Sequence, residues 1–284
     1  MKIYIRTDLE CVAGVVNFHD YCFPGPVNPY GPELAGRYYD HAKELATLET
    51  NAAIEGLIEA GATEFLVLDG HGPGCLNLSL LHPAAKVMIG MPLRAPVGLD
   101  ESFDAAIMIG QHAMSNADGG HLAHSGAVSR DYWTLNGQEI GEIHLTAMMA
   151  GHFGVPLVML SGDAAGCAEA RANFPWVHTV ETMVGERRGS SRGMNVVDAA
   201  RLNVPAIHIA PIKSRQLIRE TARQCLGAIK HAKPYRPTPP LELVSVSRPD
   251  GDKPAERNVF VADNAIDMIN QDLPNMKEIG GQRS

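Results

Sequence analysis

The fold class this sequence predicts is α/β: a mostly parallel, twisted sheet flanked by helices, with a smaller α/β unit toward the C-terminus. Two observations carry the prediction. Short apolar runs alternate with helical stretches at βαβ spacing as far as about residue 175. Beyond that the chain changes character, turning loop-like and then proline-rich. With 284 residues it is long enough for one large core or two smaller ones. The expected division is a catalytic domain over 1–165 and a smaller one over 166–284.

The elements follow in order. Met1-Lys2-Ile3-Tyr4-Ile5-Arg6-Thr7 alternates and is β-rich, so it reads as a first strand. Residues 18–32 hold so much proline, glycine and aromatic side chain that they read as a loop rather than a helix, open to use as a lid, as one wall of a pocket, or as a plain surface loop. From about Glu33 to Ala60 good helix formers run unbroken, and Gly61 supplies a stop. Phe65–Leu68, Lys86–Ile89 and Ala105–Ile109 read as buried strands. Tyr132 to Ile140 reads as a hairpin turning on Asn136-Gly137. A helix is expected over Glu142–His152, a strand over Pro156–Leu160, and a second helix after Asp163. Residues 187–205 carry no clear period. A helix over about Ile212–His231, a proline-rich link over Pro234–Pro240 and a strand over Leu241–Val246 follow.

Charge and cysteine usage exclude several classes. The net charge is −8, and no Lys/Arg block stands out, which argues against nucleic acid or an anionic membrane surface as partner. No apolar run of about 18 residues exists, so no membrane span is expected. Arg6, Asp8 and Glu10 interrupt what would be the apolar core of a signal peptide. The five cysteines are odd in number and scattered, without C-x-x-C spacing, which suits the reduced thiols of a cytoplasm. No G-x-S-x-G elbow, P-loop or dinucleotide fingerprint is found.

One event recurs: a β-run ends, within three residues, in a side chain able to bind metal. It happens at Asp8 and Glu10, at Asp69 and His71, and at His112. Asp8 and Glu10 are two apart, so in an extended segment they point the same way. Parallel strands deliver their carboxyl ends to one rim, where open α/β sheets bind ligands. Glu142, opening a helix beside that rim, can join them. Imidazoles with carboxylates are the donor set of catalytic zinc or a related divalent ion. Taken singly each residue has a plainer use. Asp8 can cap a helix, His71 can decorate a turn, and Glu142 can be a first-turn acid. Asp69 can cap a turn or orient a ligand from behind. Their common placement is what favours a metal centre.

At this point a resemblance enters. Met1 to Gly14, with Asp8-Leu9-Glu10-Cys11, resembles the opening of the zinc-dependent D-aminopeptidase family associated with dipeptide-transport operons. Glu49-Thr50-Asn51-Ala52, Asp69-Gly70-His71, Gly110-Gln111-His112, His124-Ser125, Gly141-Glu142 and Ser161-Gly162-Asp163 match in order and spacing over roughly residues 1–170. The resemblance implies two zinc ions per subunit, or another divalent metal. Asp8 would bridge them, Glu10 and His71 would complete one ligand set, and His112 and Glu142 the other. His124 would assist catalysis, with Asn51, Asp69 and Ser125 as supporting or substrate-binding candidates. It also implies hydrolysis of short peptides or amino-acid amides in a homo-oligomeric ring of two stacked pentamers. D-stereochemistry comes from the resemblance alone.

Departures mark what is particular to this chain. Cys11 stands where the family commonly has glycine, residues 18–32 are longer and more aromatic, and 187–205 resemble an insertion before Ala206-Ile207-His208. Residues Ala265–Met268 to Leu273–Pro274 resemble the segment before the family's last strand and helix, and Ser284 precedes both, so the expectation is either a shortened member or a sequence cut before those elements. Two rival functions stay open: hydrolysis of another small amide, lactam or ester, and metal or ligand binding without catalysis.

Overall fold

A computed structural model describes residues 1–24, 36–90 and 94–272. Its larger sheet has seven strands in the order β3-β2-β1-β4-β7-β8-β9. These are β1 (Lys2–Thr7), β2 (Glu64–Asp69), β3 (Ala85–Met88), β4 (Ala105–Gln111), β7 (Leu157–Asp163), β8 (His178–Gly185) and β9 (Ala206–His208). All neighbours pair parallel except β9, which closes the edge antiparallel to β8. The chain builds outward from β1 to β3 and then returns to lay β4 on the other side of β1. The order therefore reverses between β1 and β4, the position at which open α/β sheets form a ligand crevice.

Period-two alternation sorts the side chains of β1 to opposite faces. Ile3 and Ile5 join Ile54, Leu57, Ile218 and Ala222 in one apolar layer. That layer sits under helices α1 (Tyr39–Glu59) and α5 (Pro211–Cys225). Tyr4 points the other way, into a layer with Met108, Ile143, Ala147, Cys167 and Ala170. There the cover is α2 (Glu142–His152) and α3 (Ala164–Asn173).

A four-stranded antiparallel sheet, β11-β10-β5-β6, makes the smaller unit from β5 (Arg130–Leu135), β6 (Gln138–Ile140), β10 (Leu241–Ser247) and β11 (Arg257–Ala262). The expected β5–β6 hairpin forms, with positive φ at both Asn136 (50°) and Gly137 (83°), as a primed turn requires. A boundary at residue 165 coincides with neither sheet. β8 and β9 complete the larger one, and β10 and β11 pair onto β5 in the smaller.

Three local expectations need correction. Phe18–Cys22 forms a single π-helical turn, started by the Asn17 side chain accepting from the Asp20 amide at 2.7 Å. The prolines that argue for loop begin only at Pro24, and 25–32 lie outside the described residues. The long helix starts at Tyr39 rather than near Glu33: Gly36 holds φ +75° and Tyr38 is non-helical, while 33–35 are outside the described set. Residues 187–205 contain a short helix, α4 (Val196–Leu202), capped by Asn195. A final helix, α6 (Ala265–Asp272), packs near α2 and β11. Residues 273–284, including Leu273-Pro274, lie outside the described residues. Among the described residues no helix is long and apolar enough to cross a membrane.

Candidate metal centre

β1 and β4 run side by side with Thr7 opposite Ile109, so their carboxyl ends finish together. As the chain leaves β1, the Asp8 amide N–H donates a hydrogen bond to the Ile109 carbonyl at 2.8 Å. Gly110 is required at this crossing. Its φ is +76°, and a Cβ there would stand 2.4 Å from the Asp8 carbonyl oxygen. Asp8 and Glu10 then enter the crevice buried, joined by His71 from the loop after β2, His112 from the end of β4 and Glu142 from the first turn of α2.

Asp8 presents its two carboxylate oxygens to opposite sides. Oδ1 lies 3.2 Å from His71 Nδ1, and Oδ2 lies 3.5 Å from His112 Nε2. Glu10 Oε2 approaches the same His71 nitrogen at 3.2 Å. Glu142 Oε1 is 3.4 Å from His112 Nε2 and 3.8 Å from His124 Nε2. The donor atoms thus form two triads, Asp8–Glu10–His71 and His112–His124–Glu142, each within 4.8 Å. His124 stacks on His112 with ring centroids 3.9 Å apart.

Each imidazole is anchored on its far side by a backbone carbonyl. His71 Nε2 donates to Cys22 O (2.7 Å), His112 Nδ1 to Ala113 O (2.8 Å) and His124 Nδ1 to Leu122 O (2.9 Å). Those bonds assign the tautomers, leaving His71 Nδ1, His112 Nε2 and His124 Nε2 facing the carboxylates. His112 Nε2 is fully buried and has no hydrogen-bond partner. A bare lone pair aimed at carboxylate oxygens is repulsive unless a proton or a cation lies between them. The donor set therefore fits a divalent metal.

Charge on the bare protein points the same way. Burial and the neighbouring Glu10 push Asp8 up to about 6. Burial opposes ionisation of Glu10, but the His71 charge outweighs it and holds Glu10 well below the usual range. Glu142 is likewise buried and is held low by His112 and Arg6. Burial would lower His112, yet Glu142 carries it up to about 10. His124, desolvated and next to the His112 charge, is pushed down to about 4. Three carboxylates concentrate negative charge here, and among the described residues imidazolium and Arg6 answer it.

Several supporting contacts escaped sequence reasoning. Arg6, two residues before Asp8 and on the same face of β1, pairs with Glu142 Oε2 and also reaches Thr146 Oγ1. The Gly126 amide donates to Glu142 Oε1 at 2.8 Å. Asp163 accepts from the amides of Ala113 (3.1 Å) and His121 (3.0 Å), fixing the backbone that follows His112. The period-two spacing of Arg6 and Asp8 was the available signal for the first of these. Other candidates sit apart from the cluster. Asp69 Oδ1 accepts from the Cys75 amide at 2.6 Å and closes its own turn. Asn51 ties α1 to Leu80 and His82, and Ser125 Oγ accepts from the Ser115 amide. The thiol of Cys11, the residue that departs from the family pattern, donates to the His121 carbonyl.

The cluster opens into a cavity of about 650 Å³, whose lining includes Arg6, Asp8, Glu10, His71, His124 and Glu142.

Comparison with known proteins adds three findings. A D-aminopeptidase of Bacillus subtilis (strain 168) is 29% identical over 205 residues, covering 71% of this chain and 70% of that protein. The solved structure of a Zn-dependent D-aminopeptidase from Bacillus subtilis, DppA, described as a self-compartmentalizing protease, superposes with a TM-score of 0.78. It is 23% identical, with 95% of this chain and 94% of that one covered, so the likeness shows the fold. The model of peptidase family M55, the D-aminopeptidases, matches residues 1–250, and the chain therefore belongs to the D-aminopeptidase family.

Proposed function

We propose that this protein is a zinc-dependent D-aminopeptidase or amidase that hydrolyses short peptides or amino-acid amides, with two ions per subunit. One observation carries the dinuclear reading: a single buried carboxylate, Asp8, turns one oxygen to His71 and the other to His112. Glu10 and His71 would hold one ion and His112 and Glu142 the other, with Asp8 shared. Bound zinc supplies Lewis acidity toward an amide oxygen and lowers the pKa of a water from 15.7 to roughly 7.

The chain's own groups do the rest. Arg6 and the Gly126 amide engage Glu142 from two sides, so its carboxylate cannot swing away from His112. Carbonyl anchors fix each imidazole in one tautomer and one plane. His124 carries its proton on Nδ1 and leaves Nε2 bare beside Glu142, so it can take up a proton and pass it to the departing amine nitrogen. Buried walls exclude bulk water around the amide. Preference for D-residues is taken from the family, as is a homo-oligomeric ring of two stacked pentamers. The reduced cysteines fit a cytoplasmic setting.

Metal analysis coupled to turnover of D- and L-aminoacyl amides tests this reading. Asp8→Ala should lose both ions and all measurable turnover, and two ions retained in that variant would remove Asp8 from the shared position. His124→Ala should keep both ions while kcat falls by about 10²–10⁴. Loss of one ion instead would make His124 a ligand, and unchanged kinetics would make it a bystander.

A further inference from the structure

We propose that the residue released by this enzyme carries a large apolar side chain, of leucine or phenylalanine size, which rests on the hydrolase reading above. Helix α2 supplies the argument. Glu142, Leu145, Thr146 and Met149 all line the cavity, at spacings of three, four and seven residues, the positions that share one helical face. The cavity therefore follows α2 from the metal-candidate carboxylate for seven residues, about 10 Å at 1.5 Å per residue. An alanyl methyl group cannot span that distance.

The walls of this extension are hydrocarbon. Leu68 at the end of β2, Val97, Trp133 of β5 and Ile269 of α6 join Leu145 and Met149 around it. Apart from the metal-candidate residues, the only charged side chains in the described lining are Arg6 and Asp250. Arg6 is engaged by Glu142 and Thr146, and Asp250 is solvent-exposed at the rim. A charged substrate side chain would thus be desolvated beside α2 without a partner, whereas an apolar one gains burial. Thr146, four residues along the same face, already accepts from Arg6 through its hydroxyl oxygen. The volume of about 650 Å³ is in the range that accommodates drug-sized ligands.

The test uses the full chain loaded with zinc and the amides of D-alanine, D-leucine, D-phenylalanine and D-lysine. The leucine or phenylalanine amide should exceed the alanine amide by about tenfold or more in kcat/KM, since even one methylene in an apolar pocket is worth roughly 10–200-fold. The lysine amide should fall below both. Met149→Phe, which fills the extension, should bring the phenylalanine-to-alanine ratio close to one with zinc content unchanged. Alanine amide matching or exceeding the apolar amides would overturn the proposal. Zinc-loaded protein that hydrolyses none of the amides would count against the hydrolase reading instead. Calorimetry with D-phenylalaninol and D-alaninol then decides the cavity alone: tighter binding of the former by about tenfold supports it, and equal binding overturns it.

Discussion

Arg6 shows how much a single residue can govern at the switch point. Its guanidinium, partly buried at the end of β1, meets Glu142 on the oxygen that does not face His112. Glu142 thus lies between a fixed cation and the metal-candidate imidazoles, which fixes its orientation and moderates its basicity. Outer contacts of this kind typically change metal affinity by 10–100-fold. Arg6→Met should accordingly weaken zinc binding by about that factor in a chelator competition, and Arg6→Lys should recover part of it by restoring the charge without the fork. Identical affinity in all three proteins would show the pair to be irrelevant to the metal. At this scale the sequence was legible wherever the chemistry sits at a strand end. Asp8, Glu10, His71, His112 and Glu142 all converge as their positions foretold. Asp69 and Asn51 were not legible in the same way, because a carboxylate closing its own turn and an amide tying a loop look the same in sequence as groups facing a cavity.

Between elements, the packing of α1 on α5 carries a pH dependence. Glu49 of α1 is buried and accepts from Ser214 Oγ of α5 and from the Ala13 amide at 3.1 Å. Burial raises it to about 7 against those hydrogen bonds, from an ordinary 4.5. The folded state therefore holds the proton more tightly than the unfolded chain does. The resulting stabilisation is complete below about pH 4.5 and is lost as pH rises through about 7, by roughly 3 kcal/mol in all. Glu49→Gln, which keeps the shape and the acceptor, should flatten this slope in denaturant melts run from pH 5 to pH 8. An unchanged slope would assign the dependence to other groups. Elements with local signals were readable: the Asn136-Gly137 hairpin and the helix over Glu142–His152 form where expected. β8, β9 and β11 were not: β8 mixes polar with apolar residues, β9 has only three residues and β11 is largely exposed, so none carries a continuous buried apolar run. In β11 the alternation even exposes Val259 and Val261, an outward face that sequence alone would bury.

For the molecule as a whole, the two sheets interlock through chain order. The smaller sheet takes β5 and β6 from the middle of the chain and β10 and β11 from its end, with helix α2 leading from one sheet toward the other. Arg248, buried after β10, reaches back to the Val128 carbonyl at 3.1 Å and to Asp131 at 3.0 Å. Removing the C-terminal part strips β5 of β10, one of its two neighbours, and leaves that carboxylate without its cation. Unfolding of the full chain should therefore be a single cooperative transition by both near- and far-UV probes, and residues 1–165 alone should lack fixed tertiary structure. Separate transitions, or a well-folded fragment, would show that the two units stand independently.

The π-helical turn at Phe18–Cys22 grips His71 with the main-chain oxygen of Cys22, not with any side chain. That anchor does not depend on the chemistry of the side chain at position 22. Phe18, which opens the same turn, and Phe23, which follows it, both line the cavity. Evolution can thus recut the entrance for a new substrate, side chain by side chain, while the imidazole behind it keeps its setting.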